Sequence, residues 1–110
     1  FKIDSDAFAH TSKRSIEESK QWHGPNATSS MLKNYGCELN KLRYELMLQA
    51  IGRQGLGWEG EGFSDEELQL TREWLRSKAN SIEGGTSEVQ LNVIAKRVLG
   101  LPDILSLAQK

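Results

Sequence analysis

SSMLKNYGCELNKLRYELMLQAIG, Ser29 to Gly52, decides the fold. Leu32, Tyr35, Leu39, Leu42, Leu46 and Ala50 recur at steps of three and four, which places them on one face of a long helix. Thr28 or Ser29 supplies the start, and Gly52 ends it. Gly36 in the middle costs about 1 kcal/mol against Ala, so close packing of a neighbouring backbone is expected there.

Working outward, the segment from Asp4 to Trp22 reads as a more polar helix. Phe8, Ser12, Ser15, Ile16, Ser19 and Trp22 lie on its narrow stripe, and Gly24-Pro25 stops it. On the other side, GRQGLGWEGEG predicts a flexible loop from Gly52 out to Phe63. Ser64-Asp-Glu-Glu67 is a capping box that opens a third helix, whose stripe is Leu68, Thr71, Leu75, Ala79 and Ile82. Gly84 and Gly85 break that helix in a left-handed turn. Thr86 or Ser87 caps the next one, and Ser87 with Gln90 offers a second capping box. Leu91, Ile94, Ala95 and Val98 form its apolar face. Gly100 and Pro102 close it, and a short tail helix can follow from Asp103. With two prolines and few β-branched alternations, a sheet is not expected. The reading is an all-α bundle of about four main helices in one domain, residues 1–110. The helix after the glycine turn is expected to pack on the long one.

Composition sets limits on function. Fourteen basic against fifteen acidic residues give no bulk charge for nucleic acid or an anionic membrane. No apolar run approaches the ~20 residues a membrane span needs. One cysteine, Cys37, precludes an internal disulfide and fits a reducing, cytoplasmic setting. His10 and His23 lack a second ligand at metal spacing, so no metal is expected. Cys37 has no triad partner and reads as core or groove filler. Lys13-Arg14 and Lys41 with Arg43 read as solvated faces, and Trp22, Trp58 and Trp74 as core or interface anchors. The start at Phe1, without Met, reads as a cut.

Two stretches remain. Gln49-Ala-Ile-Gly-Arg53 is a helix end whose glycine permits close approach. Gly84-Gly-Thr-Ser-Glu88 offers free backbone donors at a helix start, although plain capping also explains it. A strand does not precede it and no Gly-Lys-Ser/Thr follows, which excludes a Rossmann fingerprint and a P-loop.

Taken whole, GGTSEVQLNVIAKRVLGLP, Gly84 to Pro102, resembles the C-terminal signature of the acyl-CoA dehydrogenase family. The stretch Ser29 to Gly52 resembles that family's preceding long helix, with Lys33 and the Gln49 to Gly52 ending in register. The resemblance implies that this chain is part of the C-terminal bundle of a larger flavoenzyme subunit. Such a subunit removes two hydrogens from the α and β carbons of an acyl-CoA thioester. It implies FAD as cofactor, an electron-transfer flavoprotein or similar acceptor as partner, and a homo-oligomer, dimer or tetramer. Gly85 would lie against the substrate, and Thr86, Ser87 and Glu88 against the dinucleotide part of the flavin. Gln49, Ala50, Ile51, Gly52 and Arg53 would touch the flavin of a neighbouring subunit, with Arg53 where glycine is usual. Many members carry the catalytic glutamate where this chain has Gly84, and Glu83 stands one residue early. No catalytic residue is therefore assigned, and the chain alone is expected to bind FAD weakly or not at all. The alternatives are a non-catalytic interaction module and a non-catalytic partner subunit of a mixed assembly.

Overall fold

The computed structural model describes residues 1–21 and 28–103, and within these every regular element is helical. Four α-helices follow one another: α1 Lys2–Gln21, α2 Thr28–Ile51, α3 Asp65–Ser77 and α4 Ser87–Val93. Single 3-10 turns, Gly52–Leu56 and Lys78–Ser81, extend α2 and α3, and a π-helical turn, Ile94–Val98, continues α4. The expected all-α bundle is what forms. Trp22, His23, the Gly24-Pro25 stop and the tail helix lie outside the described residues, apart from Asp103 itself.

The helix α2 is the wall on which the other three pack. Its pairing with α3 can be followed residue by residue. Near the first residues of α3, Gln54 Nε2 donates to Glu67 Oε2 at 3.3 Å. Midway, Trp74 Nε1 donates to Glu45 Oε2 at 2.7 Å, and Lys78 Nζ lies 3.5 Å from the same oxygen. Past the end of α3, Asn40 Nδ2 donates to Asn80 Oδ1 at 2.9 Å. Numbers rise on α3 as they fall on α2, so the two run antiparallel. Trp74 is thus an internal anchor, whereas Trp58 is half exposed beneath the Arg72 guanidinium, 5.1 Å from its ring.

Local chemistry sets the helix ends. Ser64 Oγ accepts from Glu67 N at 3.2 Å while Glu67 Oε2 accepts from Ser64 N at 2.9 Å, the reciprocal capping box the sequence predicts. Gly52, Gly84, Gly85 and Gly100 all have positive φ, the conformation each helix stop requires.

Several expectations need correction. It is the Phe8 ring of α1, not a backbone, that lies against Gly36. The stretch from Gly52 to Phe63 is more built than a flexible loop: its first five residues are the 3-10 turn, and Gly57 is buried against the Phe63 ring. Buried Thr71 pins it, with Oγ1 3.2 Å from both Gly55 O and Glu67 O. The stripe of α1 is inverted in part, since Ser15 is buried and Ile16 is 59% exposed. On the third stripe, Leu75 and Ile82 are exposed too, because no described element covers that side.

The slab is thin. Its extents are 64 × 37 × 21 Å, the last about two helix diameters. Leu39 is the sole buried apolar side chain among the described residues. The accessible area is 8451 Å², against about 6,100 Å² for a compact protein of this mass, 12.4 kDa.

Candidate functional site

The Gly84-Gly85 turn joins the 3-10 end of α3 to α4. Gly84 has φ 62° and Gly85 φ 100°, values that side-chain-bearing residues rarely adopt. A Cβ on Gly85 would stand 2.7 Å from Gln90 Nε2, so a side chain there would displace that amide as well as strain the backbone. Gln90 Nε2 donates to Gly84 O at 3.1 Å, and Lys33 Nζ, reaching across from α2, donates to Gly85 O. The same ammonium donates to Asn80 O at 3.2 Å, and Cys37 Sγ lies 3.0 Å from that oxygen. Cys37 is therefore a packing and hydrogen-bonding group on α2, as its setting in the sequence suggests.

Thr86 is the cap of α4. Its Oγ1 accepts from Val89 N at 3.1 Å, while its hydroxyl proton remains available. The Ser87-Gln90 capping box does not form, because Thr86 holds the cap and the Gln90 amide is spent on Gly84 O. Ser87 turns its Oγ inward, where it is buried without a hydrogen-bond partner. Glu88 is exposed. Glu83, the nearest carboxylate before the turn, is ion-paired to Arg76 Nη2, and Asn80 Nδ2 donates to it at 3.5 Å. Both ties draw that carboxylate back along α3.

The second stretch lies elsewhere. Gln49, Ala50 and Ile51 end α2, and Gly52 (φ 61°) and Arg53 open the 3-10 turn. All but Ile51 are exposed. Nineteen residues of α2 separate Lys33 from Gly52, or on the order of 28 Å at the helical rise. The two stretches singled out in the sequence thus occupy opposite ends of one helix and are not brought together within the chain. Gln54, which bonds Gly62 O and Glu67, holds the 3-10 turn in place. Sequence reasoning missed the Lys33, Cys37, Asn40 and Asn80 cluster, although the spacing of the three α2 residues marks one helix face.

A family model, acyl-CoA dehydrogenase, C-terminal domain, matches residues 1–99. The chain belongs to the acyl-CoA dehydrogenase family, as its C-terminal domain. Among curated proteins it is similar to acyl-CoA dehydrogenase IpdE1 of Mycobacterium tuberculosis, 43% identical over 58 residues, which is 53% of this chain and 14% of that relative. It is also similar to acyl-CoA dehydrogenase IpdE1 of Mycolicibacterium smegmatis, 39% identical over 77 residues, 70% of this chain and 18% of the relative. The matched part of the chain therefore spans less than a fifth of either. No solved structure matches it significantly.

The acyl-CoA dehydrogenase family implies FAD as cofactor. The turn passes on donors. Gly85 carries no side chain, the Thr86 hydroxyl has a proton to give, and the Ser87 and Glu88 amides at the start of α4 have no intrahelical acceptor, while Val89 N is taken by Thr86 Oγ1. It does not pass as an enclosure. The largely apolar cleft of about 420 Å³ between α1, α2 and α4 is lined by Phe8, Leu32, Tyr35, Leu91, Ile94 and their neighbours, and by none of residues 84–88. The donors of this turn would therefore meet a bound group along one side only. Among the described residues no group of three metal-ligating side chains occurs, and no helix is long and apolar enough to cross a membrane.

Proposed function

We propose that this chain is the C-terminal part of a larger, FAD-dependent acyl-CoA dehydrogenase subunit, soluble and cytoplasmic, acting on an acyl-CoA thioester. One observation carries the reading furthest. The residues matching the family's flavin and substrate contacts fall in two places, one at the turn held by Lys33 and the other at the C-terminal end of α2, and the helical rise from Lys33 to Gly52 is on the order of 28 Å. We take the two places to serve different flavins, with Thr86 to Glu88 on one, Gly85 against its substrate, and Gln49 to Arg53 on a second, held by a neighbouring copy. A homodimer or tetramer follows, and the large accessible area supports it.

The flavin supplies hydride acceptance. This chain's residues supply position and polarity. Gly85 lets substrate approach the backbone, and Thr86 offers its hydroxyl proton. Ser87 acts through its amide, since its Oγ faces inward. Backbone donors at the turn favour negative charge on a neighbouring oxygen, the condition under which the proton α to a thioester becomes acidic. The proton acceptor lies outside this chain: Gly84 has no side chain, and the Glu83 carboxylate is held by Arg76. An electron-transfer flavoprotein or similar acceptor would reoxidise the enzyme.

The decisive experiment purifies the full-length subunit and adds acyl-CoA thioesters. Yellow protein whose flavin absorbance bleaches on addition supports the reading. Flavin-free protein, or flavin unaffected by thioesters of every chain length and ring type tried, would sink it. Gly84 favours one second reading, a non-catalytic partner subunit in a mixed assembly. In that case a co-expressed homologue carrying glutamate at this position restores bleaching.

A further inference from the structure

Lys33 is a half-buried ammonium that takes part in none of the described ion pairs. A charge so placed is costly unless its protons meet oxygen. They meet two backbone carbonyls, Asn80 O at 3.2 Å and Gly85 O, both on the chain reversal between α3 and α4. Gln90 Nε2 takes the carbonyl of the preceding residue, Gly84, at 3.1 Å. Both glycine carbonyls of the turn are thus tethered by side chains, one from α2 and one from α4.

The consequence comes from peptide geometry. All described peptides are trans, so each carbonyl points opposite to the N–H of its own peptide unit. Tying Gly84 O to Gln90 aims the Gly85 N–H away from Gln90. Tying Gly85 O to Lys33 aims the Thr86 N–H away from α2. Glycines at φ 62° and 100° have no Cβ to limit rotation of these planes, so the two tethers set their orientation. An ammonium on a carbonyl oxygen also polarises that peptide and strengthens its N–H as a donor.

We propose that Lys33 and Gln90 are positioning residues that lock two successive peptide planes, so that the Gly85 and Thr86 amides stand as a fixed donor pair for a bound anionic or polarised oxygen. The role as ligand donors rests on the proposed acyl-CoA dehydrogenase function; the locked geometry does not. Lys33 acts through the turn and touches no ligand itself.

The test uses the full-length subunit with Lys33→Met, which keeps the stem and removes the donors, and Lys33→Arg, which restores donors. Structures of both are determined, and acyl-CoA oxidation is measured. In Lys33→Met the Gly85 carbonyl is expected to turn away from α2. There kcat falls tenfold or more, KM stays within about twofold, and FAD is retained. Lys33→Arg is expected to recover the carbonyl orientation and most of kcat. An unmoved Gly85 carbonyl in Lys33→Met, an unchanged kcat, or an arginine variant no better than methionine would each overturn the proposal. If Lys33→Met does not fold, Lys33→Leu, which also removes every donor, takes its place under the same criteria. Should the wild-type subunit bind no flavin and oxidise no thioester, the functional reading fails. The orientation of the Gly85 carbonyl then decides the locked geometry alone.

Discussion

The tip of the Phe8 ring lies so close to Gly36 that a Cβ there would meet its Cζ at 2.9 Å and its Cε2 at 3.2 Å. The contact joins α1 to α2. Gly36→Ala gains about 1 kcal/mol of helix propensity but overpacks this contact, at a cost of typically 1–3 kcal/mol. A small net loss is expected in urea unfolding of the 110-residue chain. In a Phe8→Ala background the same substitution is expected to stabilise by about 1 kcal/mol, because only propensity remains. A Gly36→Ala effect with the same sign in both backgrounds would show that Phe8 is not what requires the glycine.

The two glycines of the turn predict unequal costs. Gly84→Ala places a Cβ in open space at φ 62°, a left-handed strain of roughly 1–2 kcal/mol. Gly85→Ala adds a collision with Gln90 Nε2 and with it the loss of a hydrogen bond, about 1 kcal/mol more. Denaturant midpoints at equal protein concentration check the order, with Gly85→Ala the lower.

Ser64 and Glu67 satisfy each other's backbone amides at the start of α3. Ser64→Ala is expected to cost about 1 kcal/mol, and Ser64→Asp to recover most of it. Glu67→Ala is expected to cost more than its half of the box, because Gln54 loses its carboxylate partner as well. Thermal unfolding of the three variants compares them directly.

Thr86 offers a sharper separation of roles. Thr86→Ala removes the α4 cap and the hydroxyl together, and Thr86→Val removes them while keeping the shape. Thr86→Ser keeps both. In the full-length subunit, serine is expected to retain flavin through gel filtration, and alanine and valine to lose it in part. Equal retention by all three would leave Thr86 as a cap of α4 and nothing more.

Much of this was legible along the chain because it is local. The α2 face from Leu32 to Ala50, the Ser64 box and the left-handed glycines depend on spacing and on residues within one turn of each other. What was not legible is the identity of distant partners. Nothing near Gly36 names Phe8, and nothing near Lys33 names Gly85, 52 residues away. Adjacent hydroxyls also compete: Thr86 and Ser87 both suit a cap, and the Gln90 tether to Gly84 decides between them. The exposure of Ile16, Leu75 and Ile82 had no local signature, since periodicity marks an apolar face without saying whether this chain covers it. For the candidate site, Gly85 to Glu88 were visible as a motif, and the α2 residues that hold the turn were visible only as a spacing.

An excess of accessible area approaching that of an obligate subunit contact predicts self-association. Sedimentation velocity of the 110-residue chain is expected to show dimers or larger species at micromolar concentration, with Leu75→Lys or Ile82→Lys shifting it toward monomer. Monomer at high micromolar concentration for the unsubstituted chain would contradict this.

With Leu39 the single buried apolar side chain among the described residues, solvent accessibility in this chain is a poor guide to mutational tolerance. Polar substitutions at Ile3, Leu56, Leu91 and Leu99 change an open surface here. In an assembled subunit those same positions would respond as interior ones. A deep mutational scan scored by activity of the whole protein, laid over these exposures, would act as a photographic negative. Each exposed residue that proves intolerant would trace the outline of the missing neighbour pressed against it.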